Sequence, residues 1–154
     1  MAVERVLFLT IAVLTHGIVG YALVRAFTDV NPTVGFLLGI LPDVDFLFPA
    51  AWGAPFIHRG ITHTALFLIA IVTVASLWRS RKRLELASGL AVGSHLAIDS
   101  WSPMGVSWLF PLGIGVSGDL PVHGPTGTLV LWTLSIGLLV WRGQRPLSTV
   151  ADSR

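Results

Sequence analysis

No cysteine occurs anywhere in the 154-residue chain, which removes disulfides, thiolate metal ligation and cysteine nucleophiles together. Any metal it binds is held through nitrogen and oxygen. Charge is nearly as scarce: 12% of the residues are Asp, Glu, Lys or Arg against 53% hydrophobic. A mean hydropathy of +0.78 excludes an ordinary soluble composition and places the chain with integral membrane proteins. Familiar catalytic signatures are also missing. The chain has no Gly-x-Ser-x-Gly elbow, no GxxxxGK(S/T) phosphate loop, no His-Glu-x-x-His pair and no GxGxxG fingerprint, so serine hydrolase, nucleotide hydrolase and zinc-protease readings lose their main support. There is no internal repeat and no low-complexity segment.

What is present is a series of apolar segments, 6–24, 34–52, 61–78, 84–101 and 127–141, each near the length that crosses a bilayer and the last one short. They predict an all-α fold, a polytopic transmembrane helical bundle forming one integral membrane domain over 1–154. The first segment is too long for an ordinary signal core and lacks a clean cleavage site, so it is read as a retained helix. The second contains Pro42, Asp43 and Asp45 and is expected to unwind at 41–45, because irregular backbone at depth is tolerable only where it lines a protein cavity. Residues 102–126, rich in Gly and Pro and carrying Trp108, Phe110 and Leu112, read as an interfacial loop with aromatic anchors. Gly17 and Gly20 flank His16, and Gly89 and Gly93 form a small-xxx-small pattern that predicts a close helix approach just before His95.

The net charge of +2 hides one basic tract, Arg79-Ser80-Arg81-Lys82-Arg83. It is a topology signal, compatible with anionic lipid headgroups, and no nucleic-acid partner is expected. With Arg142 and Arg145 it places the loop between segments three and four and the C-terminus in the cytoplasm. In a five-span arrangement His58, His63, His95 and Asp99 then gather toward the outer side of the cell membrane, with Asp43 and Asp45 in the outer half of segment two.

The ionisable residues His16, Asp43, Asp45, His58, His63, His95 and Asp99 interrupt or abut the apolar runs. A carboxylate near a bilayer centre costs roughly 2.5–3.5 kcal/mol, so three left charged and unpaired cost about 8–10 kcal/mol. Binding a structural zinc releases on the order of 10–16 kcal/mol, and imidazole with carboxylate suits zinc, manganese or iron. The set therefore reads as an intramembrane or membrane-edge metal site. His95 and Asp99 stand one helical turn apart on one face. His58-Arg59-Gly60-Ile61-Thr62-His63 gathers two imidazoles, a guanidinium and a hydroxyl at the start of segment three, where Arg59 offers a bidentate fork to an anion, Thr62 a donor and the helix N-terminus further N–H groups. Asp43 and Asp45 converge only if the chain is unwound there, and as neighbouring carboxylates they need cations to stay charged. His123 and Asp119 are read as loop residues outside the ligand set.

His16, the Leu-Pro-Asp-Val-Asp of 41–45, the His-Arg-Gly-Ile-Thr-His-Thr of 58–64 and the His-Leu-Ala-Ile-Asp of 95–99 resemble the motif series of the membrane-bound metal-dependent hydrolases, also described as LexA-binding inner-membrane hydrolases. The likeness covers about residues 10–115. That family is regarded as distantly similar to zinc-dependent phospholipase C and the fungal single-strand nucleases, all-helical enzymes that cleave phosphoesters with His- and Asp-bound zinc. The resemblance implies that His16, Asp43, Asp45, His58, His63, His95 and Asp99 are metal ligands, zinc being the first expectation and manganese or iron the alternatives. The resulting expectation is a membrane-embedded metal-dependent hydrolase of a phosphoester in a phospholipid or other membrane-proximal substrate. In it Arg59 clamps a phosphoryl oxygen, Thr62 assists, and Asp43 or Asp45 takes a proton. The rival expectation is a non-catalytic metal-binding membrane protein, an ion transporter or a scaffold.

Overall fold

The structure is a computed structural model that describes residues 2–78 and 83–143. It is built on five α-helices: α1 (Ala2–Phe27), α2 (Pro32–Ile40), α3 (Ala65–Leu77), α4 (Leu84–Trp101) and α5 (Pro125–Gly143). Among the described residues the only β pairing is an isolated antiparallel bridge between Val106 and Val116. α1 is both long and apolar enough to cross a membrane; α3 is apolar but shorter, with 13 residues. The all-helical expectation holds. The orientation read from the basic tract falls mainly on residues 79–82 and 145, outside the described residues.

Local chemistry sets the helix ends. Asn31 caps α2 by accepting a hydrogen bond from the Thr33 N–H at 3.0 Å, with Pro32 at the first helical position, where its missing N–H costs nothing. Pro42 then ends α-helical pairing, and Leu41–Leu47 continues as a 3-10 helix, which is the break expected from the sequence. Segment three departs from expectation. Ile61–His63 is a separate 3-10 turn, and α3 begins at Ala65 with Thr64 as its cap, accepting from the Phe67 N–H at 3.1 Å. The residues from His58 to His63 therefore sit in a folded loop, not on a helix N-terminus.

The α1–α2 seam is closed by glycine. A methyl group at Gly20 would collide with the Gly35 carbonyl, one at Gly35 would stand 2.5 Å from the Gly20 carbonyl oxygen, and one at Gly39 would stand 2.5 Å from the His16 carbonyl oxygen. Only residues without a Cβ allow this approach. The same reasoning fails for Gly89 and Gly93: added methyl groups there meet only Val72 at 3.8 Å and nothing at all, respectively. The face of α4 that packs inward carries Ala87, Ala91 and Val92 instead, with Ala87 and Ala91 joining Val24 in the core.

The distribution of polarity is inverted relative to a soluble protein. His16, His63, His95, Asp45, Asp99 and Thr62 are buried, whereas Leu66, Ile69, Val74 and Leu77 of α3 and Leu129, Leu134, Ile136 and Val140 of α5 are exposed. Such an exterior is suited to lipid.

Candidate metal centre

Five stretches of chain meet at one polar focus. α1 contributes His16 from its middle, the 3-10 segment after α2 contributes Asp43 and Asp45, the 58–63 loop contributes two histidines, and the last turns of α4 contribute His95 and Asp99. The long connection after α4 contributes His123. Close passage of α1 over α2 through the glycine seam is what brings His16 to the others.

The histidine pair at the centre is oriented from behind. His95 Nδ1 lies 2.7 Å from the Gly39 carbonyl oxygen, an acceptor only, so this nitrogen carries the proton and donates. His63 Nδ1 lies 3.1 Å from Asp45 Oδ2 and is held in the same way. In the neutral rings both Nε2 atoms then present lone pairs, and they face one another at 3.1 Å. Two opposed lone pairs at that separation repel unless something positive lies between or beside them. Asp99 Oδ2 stands 3.5 Å from His63 Nε2 and 3.8 Å from His95 Nε2, and Asp43 Oδ1 stands 3.8 Å from each. Donors around a tetrahedral zinc at about 2.0–2.1 Å are roughly 3.3–3.5 Å apart, so this donor set fits a divalent ion with little adjustment. Three carboxylates against the one Arg59 guanidinium leave two negative charges at the site, the charge of one divalent cation.

Asp45 occupies a different position in this scheme. Its Oδ1 accepts from His58 Nδ1 at 3.0 Å, and its Oδ2 accepts from the Arg59 N–H at 3.0 Å, the Thr62 hydroxyl at 2.9 Å and His63 Nδ1 at 3.1 Å. With these contacts it holds the His58 and His63 rings in place. The sequence expectation makes Asp45 a metal ligand or a proton acceptor; the structure places these four donors on its oxygens. Thr62, 3% exposed, spends its hydroxyl proton on Asp45, so it is not a donor to substrate in this arrangement. Arg59 is similarly committed: Nη1 donates to Ser102 Oγ at 2.6 Å and to the Gly105 carbonyl at 2.9 Å, and Nη2 pairs with Asp99 Oδ2 at 3.1 Å. The fork expected to hold a phosphoryl oxygen instead ties the 102–105 turn to Asp99. His58 lies at the solvent side, its ring stacked on Phe46 with centroids 4.1 Å apart, and with Asp43 and His63 it brings one donor atom each within 4.8 Å of one another.

His123, set aside on sequence grounds, is part of the site: its Nε2 lies 2.8 Å from Asp99 Oδ1. The connection after α4 doubles back through the Val106–Val116 bridge and is pinned to the end of α4 by the Gly118 N–H on the Ser100 carbonyl at 2.8 Å and the Leu120 N–H on the Trp101 carbonyl at 2.7 Å. Trp108 does not act as a free anchor, since its indole donates to Ser100 Oγ at 2.8 Å. Asp119 is exposed. A cavity of about 1000 Å³ opens over the site; Asp43, His58, Asp99 and His123 line its polar part. Phe8, Leu9, Ala12 and Val13 of α1, with Met104 and Val122, line the apolar part, and Arg5 also borders it.

Fold and site together define an all-helical protein, over the described residues, with a buried histidine–carboxylate cluster. The chain belongs to the YdjM inner membrane protein family, whose profile matches residues 11–151. It is 34% identical over 88 residues to a protein of Escherichia coli (strain K12) named inner membrane protein YbcI, the match covering 50% of this chain and 51% of that one. It is 33% identical over 71 residues to uncharacterized protein YvsG of Bacillus subtilis (strain 168), covering 46% of this chain and 43% of that one. The chain thus spans about half the length of these curated relatives. No solved structure matches it. Membership in this family supports a cell-membrane location.

Proposed function

We propose that this protein is a multi-pass, membrane-embedded, metal-dependent hydrolase of a phosphoester in a lipid or another membrane-proximal substrate. The observation that carries the reading is the facing pair of Nε2 atoms of His63 and His95, 3.1 Å apart and both held from behind. His63, His95, Asp43 and Asp99 would hold a divalent ion, zinc first and manganese or iron next, which would supply polarisation of a phosphoryl oxygen and acidification of a water. Asp45 keeps the His63 ring turned so that Nε2 faces the centre. Arg59 is a positioning residue that aligns Asp99 and braces the 102–105 turn. Asp43 borders the cavity, so a substrate entering there would meet this ligand carboxylate. The apolar wall along α1 accommodates acyl chains and keeps water away from the reacting group. In the multi-pass arrangement the site faces outward and the C-terminus is cytoplasmic, so cysteines placed at Ser80 and Ser117 label from opposite sides of the membrane.

A non-catalytic reading, a metal-binding transporter or scaffold, is favoured by one observation: Arg59 and Thr62 are both consumed by contacts within the protein, leaving no free anion clamp. One experiment separates the two. Wild-type protein in lipid nanodiscs, loaded with zinc or manganese, is assayed against phospholipids and model phosphodiesters beside Asp43→Asn. The hydrolase reading predicts turnover that Asp43→Asn reduces at least about 100-fold. Metal-loaded wild type with no hydrolysis across the panel overturns it.

A further inference from the structure

Residues 46–57 contain no ionisable side chain. Their hydropathy counts toward a second spanning segment in the sequence, yet α2 ends at Ile40 and is followed by 3-10 turns and loop, with too little helix to cross a bilayer. The apolar side chains are nevertheless turned outward: Leu47 is 80% exposed and Trp52 57%, and Phe46, Phe56 and Ile57 are exposed as well. Phe48, Trp52 and Phe56 pack ring against ring with centroids 5.5–5.7 Å apart, so the loop presents one aromatic cluster. Its backbone is largely closed on itself. The N–H groups of Phe48, Trp52, Gly53, Phe56 and Gly60 donate to the carbonyls of Asp45, Pro49, Ala50, Gly53 and Ile57, and the Ile61 N–H returns to the Pro55 carbonyl. A loop whose donors are spent internally loses little on leaving water.

The neighbours of the loop indicate what it faces. Phe46 borders the cavity together with Phe8 and Leu9 of α1, so the base of the loop stands level with the N-terminal part of the helix that is long and apolar enough to cross a membrane. Val3, Val6 and Leu7 in that part of α1 are exposed too. Met104, itself 70% exposed, borders the same cavity from residues 102–118, a second stretch without charge. We propose that the 46–57 loop is a membrane-interface element, immersed at the headgroup–acyl boundary of the bilayer, and that it turns the mouth of the cavity toward lipid. Trp and Phe favour that boundary, whereas a docked protein would be met by a polar rim, which this loop lacks. The loop begins after Asp45 and ends before His58, whose ring stacks on Phe46, so a ligand reaching the polar end of the cavity approaches from within the bilayer. This goes beyond the hydrolase reading and does not depend on it; it rests on the membrane-embedded arrangement alone.

A chain without cysteine accepts a single nitroxide label wherever one cysteine is introduced. The test places it at Leu47→Cys, Ala51→Cys and Met104→Cys in the full chain in lipid nanodiscs and measures, by electron paramagnetic resonance, relaxation by oxygen, which concentrates in lipid, against relaxation by a water-soluble nickel chelate. Leu134→Cys on the exposed face of α5 serves as the lipid reference, and Asp29→Cys, whose native side chain is 79% exposed, as the water reference. Ala51→Cys keeps every aromatic ring, so the result does not hinge on one variant that disturbs the cluster. The oxygen-to-nickel ratio is expected to be several-fold higher at all three test sites than at Asp29→Cys and to approach that at Leu134→Cys. Nickel access equal to the water reference at both loop sites, or at Met104→Cys, overturns the inference. Protection from both reagents, with spin–spin broadening that disappears on dilution with unlabelled chain, places a second copy on the loop and overturns it as well. Immersion without any phosphoesterase activity removes the hydrolase reading and leaves this inference standing; water exposure with active hydrolysis does the reverse.

Discussion

The region around Asp45 and the region around Asp99 each set a buried carboxylate among histidines. Asp45 lies in a loop-rich pocket where His58, His63, Thr62 and a backbone N–H all donate to it. Asp99 ends a helix, and its oxygens meet the Nε2 edges of His16, His63, His95 and His123, with Arg59 as the one fixed cation. Protein donors occupy both oxygens of the first carboxylate; at the second, Oδ1 lies against His16 and His123 while Oδ2 faces the Nε2 edges of His63 and His95, the side on which a metal would fit. Residue type and burial are nearly the same in the two places. What differs is the edge the histidines present: Nδ1 of His58 and His63 toward Asp45, Nε2 of His16, His63, His95 and His123 toward Asp99.

The largest effect expected from breaking this contrast is at Asp99. Asp99→Ala should empty the centre, taking bound metal from at least one ion per chain to nearly none by elemental analysis. Asp45→Asn should keep the stoichiometry but weaken zinc about 10–100-fold in competition with a chromophoric chelator; loss of all metal, as in Asp99→Ala, would erase the distinction between the two regions. Thr62→Val removes one of Asp45's donors and leaves the rest. It should cost roughly 1–3 kcal/mol in denaturation while changing zinc affinity by less than about tenfold. The scaffold beneath can be probed by paired glycine substitutions. Gly20→Ala forces α1 from α2 and should cost about 1–3 kcal/mol; Gly93→Ala, with nothing near its new methyl group, should be neutral or stabilising by up to about 1 kcal/mol.

Much of this arrangement is legible in the sequence, and the exceptions have physical causes. The helices near 84–101 and 127–141 and the break at Pro42 follow from apolar length and from a missing N–H, both local properties. His95 and Asp99 follow from helical spacing. His123 escaped because loop sequence carries no period: only the backbone bonds from Gly118 and Leu120 to the end of α4 reveal that the chain returns to Asp99. The contacts of Asp45, Thr62 and Arg59 are not legible in the sequence for a related reason. Their residue types are equally good at binding substrate and at holding one another, and spacing does not say which partners arrive first. The glycines teach the same lesson in reverse, since Gly89 and Gly93 match a packing pattern while the close contact forms at Gly20, Gly35 and Gly39.

The central claim, that His63, His95, Asp43 and Asp99 hold a divalent ion, is tested most directly by elemental analysis of wild-type and His95→Ala protein purified without chelator and then dialysed against zinc. The account predicts at least one first-row divalent ion per chain in wild type and a marked loss in His95→Ala. Folded wild-type protein that carries no such ion and takes up none from zinc would contradict it.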